Sequence, residues 1–326
     1  MAIEIKAVSG YDDLERWVEA RNDVLSDDPH TAEMMALVRA SELEHVDLLA
    51  SEDGEIVGAG MLAGDPASTA STHPYVEVTV PRTYRGRGVG AALFQELSER
   101  ARRLGKEGFE CEARADDQHS IAFLERRGFV ETGRAAKYVL DLSAYESPPP
   151  VPSEGLELAM LADRPDLLAG VYAVAKATYP DVGAFQAKHT ERLHDWQLYQ
   201  LGSPTTALDM TPLAIADGDV VGFATLVRRG DNRSAEHRIC AVLPDWRGRG
   251  IATVLLQEQL AAAKRAGVET IVAWGRSADV GRTYGTKLGF EPCGETIAFR
   301  GPLQDRFFAA RPEGRARRRP AGRPER

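Results

Sequence analysis

Cysteine is scarce in this chain, with only Cys111, Cys240 and Cys293 among its 326 residues. These cysteines form no Cys-x-x-Cys pair, and each lies in or beside an apolar segment, so we expect buried thiols rather than metal ligands or nucleophiles. The seven histidines also lack the spacing of a metal-binding motif. No metal is therefore expected.

Long apolar runs are missing as well, since no segment approaches the roughly 20 residues that span a membrane. Residues 1–6 alternate like a strand and show neither the basic nor the apolar region of a signal peptide. With 43% hydrophobic and 27% charged residues, the composition is that of a soluble globular protein. We therefore expect a cytoplasmic protein that has no membrane partner.

Acidic residues outnumber basic residues over most of the chain. The net charge is −9, although residues 311–326 alone hold seven arginines against two glutamates. An acidic body argues against nucleic acid as a partner. Residues 306–326 are predicted to form a basic disordered tail, because this segment is too polar and too interrupted by proline and glycine to pack. The alternative for the tail is an arm that contacts nucleic acid or anionic lipid.

What the sequence does contain is a duplicated loop. The run Arg-Gly-Arg-Gly begins at Arg85 and again at Arg247, and a valine lies five residues before each copy. An Asp-Gly hairpin between apolar strands precedes each copy, and a Gly-Phe pair follows each one. Three landmarks in the same order predict two tandem copies of one module.

A proline-rich linker at residues 146–153 separates the two copies. The predicted domains are therefore 1–145 and 154–305. Strands alternate with helices in both, which predicts an α/β or α+β fold with a mixed sheet in each domain and helices on both faces.

The repeated loop has the features of a phosphate cradle. It joins a strand at 75–80 to a helix at 90–104 in the first copy, and a strand at 238–242 to a helix at 252–266 in the second. At such a turn the backbone amides and the positive end of the helix can face an anion, and glycine removes the Cβ atoms that would keep a pyrophosphate away. The spacing matches neither the dinucleotide fingerprint nor the ATP-binding loop, which disfavours both kinds of site.

This pattern, followed by a short helix that ends in Gly-Phe, resembles the GCN5-related N-acetyltransferase (GNAT) superfamily, once in each half, and especially its tandem two-domain members. The resemblance implies a twisted mixed sheet that opens beside the loop, acetyl-CoA as co-substrate, and direct transfer of the acetyl group to an amine. The positions implied to bind acetyl-CoA are Val80, Arg85, Gly86, Arg87, Gly88, Val89 and Gly90 in the first half and Val242, Arg247, Gly248, Arg249, Gly250, Ile251 and Ala252 in the second.

The resemblance also implies a general acid. The family usually places a tyrosine four residues before the glycine of Gly-Phe, where it reprotonates the leaving thiolate, but those positions hold Leu124 and Gly285 here. One residue earlier, the second half has Tyr284 and the first has Phe123. Only the second half therefore keeps a candidate acid, and we expect turnover there. Core packing is the alternative role for Tyr284.

A protonated amine must lose a proton before it attacks a thioester, so a base is needed. Glu77 lies on the strand before the first loop, and Glu236 and His237 hold nearby positions in the second half. These three are the candidate bases. The alternatives are an outward-facing carboxylate for Glu77 and a surface position for His237.

The acceptor pocket is expected in the least repeated parts of the chain, where specificity resides. Asp195, Trp196 and Tyr199 are the candidates there, since a carboxylate and aromatic rings suit a cationic amine; core packing is the alternative. The sequence thus predicts an acetyl-CoA-dependent N-acetyltransferase acting on a primary amine of a small molecule. A cysteinyl-amine acetyltransferase and a non-catalytic acyl-CoA-binding module are the alternatives. Acyl-chain preference and oligomeric state stay open.

Overall fold

The computed structural model of this protein describes residues 3–26, 28–41, 44–64, 71–146, 154–182, 193, 196–197, 201, 205–229, 233–275 and 283–305. Within these residues the helices are α1 (Tyr11–Val24), α2 (Ala32–Ser41), α3 (Val89–Arg103), α4 (Gln118–Glu125), α5 (Leu168–Val182) and α6 (Ile251–Arg265). The strands are β1 (Glu4–Ala7), β2 (His45–Glu52), β3 (Glu55–Ala63), β4 (Tyr75–Thr79), β5 (Gly108–Arg114), β6 (Val130–Asp141), β7 (Glu157–Met160), β8 (Pro212–Ala216), β9 (Asp219–Arg228), β10 (Ser234–Val242), β11 (Thr270–Gly275) and β12 (Glu291–Pro302).

Both predicted Asp-Gly hairpins are present. They join β2 to β3 and β8 to β9, and both pairs are antiparallel. Asp53 and Asp217 have φ values of 52° and 50°, and the glycines that follow have 86° and 88°. Two consecutive positive φ angles define the turn that best fits the twist of a hairpin, which explains the Asp-Gly pair.

The strands form one continuous mixed sheet in the order β1-β2-β3-β4-β5-β12-β6-β11-β10-β9-β8-β7. The predicted α/β class is therefore confirmed. The centre of the sheet departs from chain order, because β12 of the second half pairs with β5 of the first, and β6 of the first half pairs with β11 of the second. The two halves thus exchange their closing strands.

The exchanged strands are longer than the sequence predicted. β6 and β12 each have 12 residues, whereas the hydrophobic pattern marked only 138–142 and 296–299. The short helix predicted at 282–287 is a π-helical turn, Thr283–Lys287, and residue 282 lies outside the described residues. The domain bounds stay a prediction, and residues 147–153 of the linker and the tail 306–326 also lie outside the described residues.

One hydrophobic core in each half includes side chains from the closing strand of the other half. Ile297 and Phe299 of β12 belong to the core that α3 and α4 cover in the first half. Leu140 and Leu142, at the end of the first half's closing strand, belong to a core of the second half. Burial of these side chains therefore stabilises the half that is distant in sequence.

Parallel strands separate near each loop. β4 and β5 pair through Tyr75 and Glu110. β10 and β11 pair over four positions, from Ser234 to His237 on β10. A bulge follows between His237 and Ile239. Beyond it β10 is no longer paired with β11, and we refer to this unpaired stretch of β10, which leads to the loop, as the opening.

Candidate functional site

The two loops have the same backbone conformation. Gly248 and Gly250 have φ values of 76° and 80°, and Gly86 and Gly88 have 79° and 93°. This left-handed region favours glycine because side chains are strained there. A Cβ atom at Gly250 would meet no other atom within 4 Å. The space beside the second loop is therefore open, and a side chain at this position would project into it.

Each loop ends at the N-terminus of a long helix. Gly88 caps α3 and Gly250 caps α6, both without a side-chain hydrogen bond. The first hydrogen bond of α6 runs from Val254 N to Gly250 O at 3.1 Å, so the three preceding amides have no acceptor within the helix. Val89 and Ile251 bury their side chains and can offer only backbone there. This arrangement suits an anion such as a pyrophosphate.

Gly90 differs from the other loop glycines. It lies inside α3, and a Cβ atom there would touch Phe123 and Val80 at 3.6 Å, an ordinary contact distance. The second half carries Ala252 at the matching position. An alanine would therefore fit at Gly90 without strain.

The first arginine of each loop holds the loop to the end of its strand. Arg85 Nε donates to Val80 O at 3.1 Å, and Arg247 Nε donates to Val242 O at 3.0 Å. Arg85 also forms an ion pair with Asp117, which caps α4, at 3.3 Å. These contacts show a structural role for Arg85 and Arg247, while direct contact with a phosphate stays a prediction.

The second arginine of each loop stacks on an aromatic ring. The Arg87 guanidinium lies 5.3 Å from the ring centroid of Tyr84, and that of Arg249 lies 4.6 Å from the ring of Trp246. Stacking fixes the planar head group near the loop. Both arginines are thereby placed at the rim of their loop.

A carboxylate sits beside the first loop. Glu52 Oε2 lies 3.7 Å from Arg87 Nη1, whereas the matching residue of the second hairpin is Ala216. A carboxylate at this distance competes with a phosphate for the same cation. The first loop therefore has a carboxylate that opposes an anion, and the second hairpin has none at the matching position.

Tyr284 lies at the opening of the second half. Its ring centroid is 5.8 Å from those of His237 and Tyr138 and 5.2 Å from that of Phe290, and the residue is 7% exposed. Burial raises the pKa of the Tyr284 phenol, which keeps it protonated at neutral pH. The side chain thus belongs to the core and retains a proton that it can donate. Phe123, in the first half, has no such proton.

His237 is buried, not at the surface. It is 4% exposed, and its Nδ1 lies 2.7 Å from Gln259 Oε1 on α6. Burial lowers the pKa of His237 to about 4. With Gln259 Oε1 as the acceptor, Nδ1 carries the proton and Nε2 keeps its lone pair. The imidazole is therefore neutral at physiological pH.

The pKa values of the two candidate carboxyl groups, Glu236 and Glu77, are shifted in opposite directions. Glu236 forms ion pairs with Arg229 at 2.6 Å and with Arg238 at 2.7 Å. Burial acts to raise the pKa of this carboxyl, but the two arginines together outweigh burial and hold the pKa below its usual value. Glu77 is held by Arg21 at 2.8 Å; burial raises the pKa of this carboxyl, and Arg21 offsets only part of the increase. Glu236 is consequently ionised at neutral pH, and Glu77 is the more basic group.

These carboxylates do not occupy equivalent positions. When the two hairpins are aligned, the register places Tyr75 where the second half has Glu236, and Ile239 where the first half has Glu77. Each half therefore carries a carboxylate on its loop-bearing strand, but at a different point relative to the opening.

Of the three residues predicted to line the acceptor pocket, the described residues include Trp196. Trp196 is 0% exposed and packs against Tyr172 and Phe223, with ring centroids 5.6 and 6.5 Å away. It is a core side chain, which corrects the expectation of a ring that could face a cation. Asp195 and Tyr199 lie outside the described residues.

The cysteines follow the expectation in part. Burial raises the pKa values of Cys111 and Cys240 to about 12, whereas Cys293 is exposed.

Within the described ranges, no group of three or more His, Cys, Asp or Glu side chains is placed to hold a metal ion. Nor does any helix of those ranges have the length and apolarity needed to cross a membrane. The cytoplasmic location stays a prediction.

A helix-end anion cradle beside two diverging parallel strands, present twice in one sheet, defines a tandem acyltransferase fold. A family model described as the acetyltransferase (GNAT) family matches residues 11–129 and 169–290. The chain belongs to this family, which uses acyl-CoA as co-substrate, so the resemblance found in the sequence is confirmed. The glycines and free helical amides of the loops fit such a molecule.

Known proteins resemble the chain along most of its length. Mycothiol acetyltransferase of Amycolatopsis mediterranei (strain U-32) is 26% identical over 258 residues, which cover 74% of this chain and 80% of that protein. A tandem GNAT protein from the clavulanic acid biosynthesis pathway has a TM-score of 0.73 at 19% identity, covering 93% of this chain and 99% of its own. A GCN5-related N-acetyltransferase from Sphaerobacter thermophilus has a TM-score of 0.72 at 18% identity, covering 93% and 96%. The two structures support the tandem fold.

Proposed function

We propose that this protein is an acetyl-CoA-dependent N-acetyltransferase that transfers an acetyl group to a primary amine of a small molecule, with turnover in the second half. The observation that carries the proposal is the Tyr284 ring, which lies 5.8 Å from the ring of His237 on the loop-bearing strand β10. Membership of the acetyltransferase family supports the reaction class.

Binding in this proposal depends on the second loop. The amides of Ile251 and Ala252 hold the pyrophosphate, and Gly248 and Gly250 permit its close approach. Val242 ends the strand beside which the thioester arm lies. Bound acetyl-CoA supplies the activated acetyl group. The first loop offers a second binding position of the same backbone shape, with Glu52 opposing it.

Proton transfer in this proposal uses groups of the second half. The Glu236 carboxylate accepts a proton from the ammonium form of the acceptor, directly or through water, and neutral His237 is the second candidate. The freed amine forms a C–N bond to the acetyl carbon as the C–S bond breaks. Tyr284, which its raised pKa keeps protonated, then donates its proton to the departing sulfur. The second proton on the nitrogen returns to the Tyr284 oxygen, directly or through water.

Two alternatives have an observation behind them. Similarity to mycothiol acetyltransferase favours a cysteinyl amine as the acceptor. Leu124 and Gly285, where the family usually has tyrosine, favour a non-catalytic acyl-CoA-binding module. The two alternatives differ in whether thiol is released from acetyl-CoA.

The test is thiol release from acetyl-CoA over a panel of primary amines that includes cysteinyl amines, with products identified by mass spectrometry. Tyr284→Phe is expected to lower kcat about 100-fold, a typical contribution of general acid catalysis, without changing KM for acetyl-CoA. Tyr138→Phe is the matched control, because it removes a hydroxyl from a ring in the same cluster, and it should leave kcat unchanged.

Two results would contradict the proposal. Absence of thiol release with every amine, together with measurable binding of acetyl-CoA, would favour the binding module. Equal kcat in Tyr284→Phe and the unmodified protein would show that Tyr284 packs in the core and is not the general acid.

A further inference from the structure

A chain of ion pairs connects the candidate carboxylates of the two halves. Arg21 contacts Glu77 Oε1 through Nε at 2.8 Å and Asp28 Oδ2 through Nη2 at 3.1 Å. Asp28 Oδ1 lies 3.0 Å from Arg229 Nη1, and Arg229 Nη2 lies 2.6 Å from Glu236 Oε2. The pairs therefore run without interruption from the first half to the second.

Asp28 is the bridge between the halves. It lies between α1 and α2, and each of its carboxylate oxygens contacts a different arginine. Arg21 Nη1 also donates to the backbone oxygen of Asp28 at 2.7 Å, which fixes the segment itself. The side chains of Arg21 and Arg229 are 3% and 11% exposed, and that of Asp28 is 36% exposed. Salt and water therefore reach these contacts only from the Asp28 side.

Arg229 consequently serves two carboxylates at once. Glu236 is faced by Arg229 beyond the end of β9, by Arg238 on its own strand, and by Asp28 and His30 from the first half. Loss of the Asp28 charge would leave Arg229 to neutralise Glu236 more fully. Loss of Arg229 would instead leave a buried carboxylate with one arginine fewer. The two changes act on Glu236 in opposite directions.

We propose that Asp28 of the first half is a positioning residue for the acceptor side of the second half. By holding Arg229 it fixes the orientation of the Glu236 carboxylate and limits how strongly that carboxylate is neutralised, which keeps Glu236 able to accept a proton. This inference rests on the proposed function, since it concerns the carboxylate assigned there. It makes the first half a required part of the reaction in the second.

The test is a pH titration of the Glu236 side-chain carboxyl by ¹³C NMR in protein labelled at glutamate, with the resonance assigned from Glu236→Gln. Asp28→Asn is expected to lower the pKa of Glu236 by about one unit, the usual spread caused by neighbouring charges. Arg229→Met is expected to raise it by about one unit or more. The acidic limb of kcat/KM should move in the same directions. General destabilisation predicts no such opposite pair of shifts.

A double variant shows whether Asp28 acts through Arg229. In Asp28→Asn combined with Arg229→Met, the pKa of Glu236 should equal that of Arg229→Met alone. Asp28→Glu, which keeps the charge, should restore part of the change in the pH profile. Asp13→Asn is the matched control, because Asp13 pairs with Lys6 outside the chain of ion pairs, and it should shift nothing.

Shifts of one sign in both single variants, or no shift in Asp28→Asn, would overturn the inference. If Asp28→Asn does not fold, Arg229→Lys, which keeps the cation, should shift the pKa of Glu236 less than Arg229→Met does; equal shifts would contradict the inference. Full acetyl transfer by Glu236→Gln would instead overturn the role of the carboxylate in the proposed function. The NMR titration would still decide whether Asp28 controls Glu236.

Discussion

The first and second loops share their backbone but differ in the side chains around them. Both have paired left-handed glycines, an arginine bonded to the preceding valine, and a second arginine stacked on a ring. Several matching positions differ, among them Phe123 and Tyr284, Val76 and His237, Tyr75 and Glu236, and Glu52 and Ala216. A cradle built from backbone tolerates these changes, because proton transfer depends on side chains that the backbone does not specify.

The halves are nevertheless mutually dependent. One core in each half contains the closing strand of the other half, and Asp28 contacts Arg229 across the two halves. The first half can therefore lack a phenol at its own opening and still contribute to the second half. The experiments below change one half to resemble the other or separate their contributions.

The largest effect is expected from Phe299→Ala. Phe299 is 3% exposed and lies in the first half's core although it belongs to the second half in sequence. Truncation should lower the free energy of unfolding by about 3–5 kcal/mol. Hydrogen exchange, measured by mass spectrometry, should increase first in α3 and β5. Phe290→Ala, in the second half's core, is the control and should loosen α6 and β11. The reverse pattern would contradict the strand exchange.

His237→Val gives the second half the residue that the first half has at this position, Val76. Because the pKa of His237 is lowered to about 4 from an ordinary 6.5, its contribution to stability is present above pH 6.5 and is lost as the pH falls towards 4. That loss amounts to roughly 3 kcal/mol at most. Urea unfolding between pH 7 and 4.5 should show a shallower decline in His237→Val. Equal slopes in the two proteins would mean that His237 titrates normally.

Glu52→Ala gives the first loop the residue that the second half has, Ala216. Without the carboxylate 3.7 Å away, Arg87 should favour an anion, and acetyl-CoA affinity at the first loop should rise by about 0.5–1 kcal/mol, as is typical of exposed charge pairs. Calorimetric titration measures the change, which should shrink as salt is added. Ala216→Glu should weaken the second site. An unchanged acetyl-CoA affinity in both variants would show that a carboxylate at this position does not affect binding at either loop.

Local signals allowed much of the fold to be predicted. The Asp-Gly hairpins, the glycine-rich loops and the helices that follow them depend on neighbouring residues. The exchange of β6 and β12 was missed, because alternation of apolar residues marks a strand without naming its partner. The burial of His237 was missed for a related reason, since only the fold places Gln259 beside it.

The candidate site shows the same limit. Glu77 and Glu236 were found from their position before a loop, but their arginine partners were not. Arg21 lies 56 residues from Glu77 in sequence, and Asp28 contacts Arg229 from the other half, so no local pattern joins them. Trp196 was misplaced because an aromatic residue on a helix has the same spacing in a core as beside a pocket.

The central claim is that turnover belongs to the second half, and the most direct test compares Gly250→Val with Gly88→Val. Both glycines have positive φ, 80° and 93°, so each substitution introduces a similar strain of about 1–3 kcal/mol. We expect Gly250→Val to lower kcat/KM for acetyl-CoA at least about tenfold and Gly88→Val to change it by less than about twofold. Loss of activity in Gly88→Val with activity retained in Gly250→Val would contradict the account.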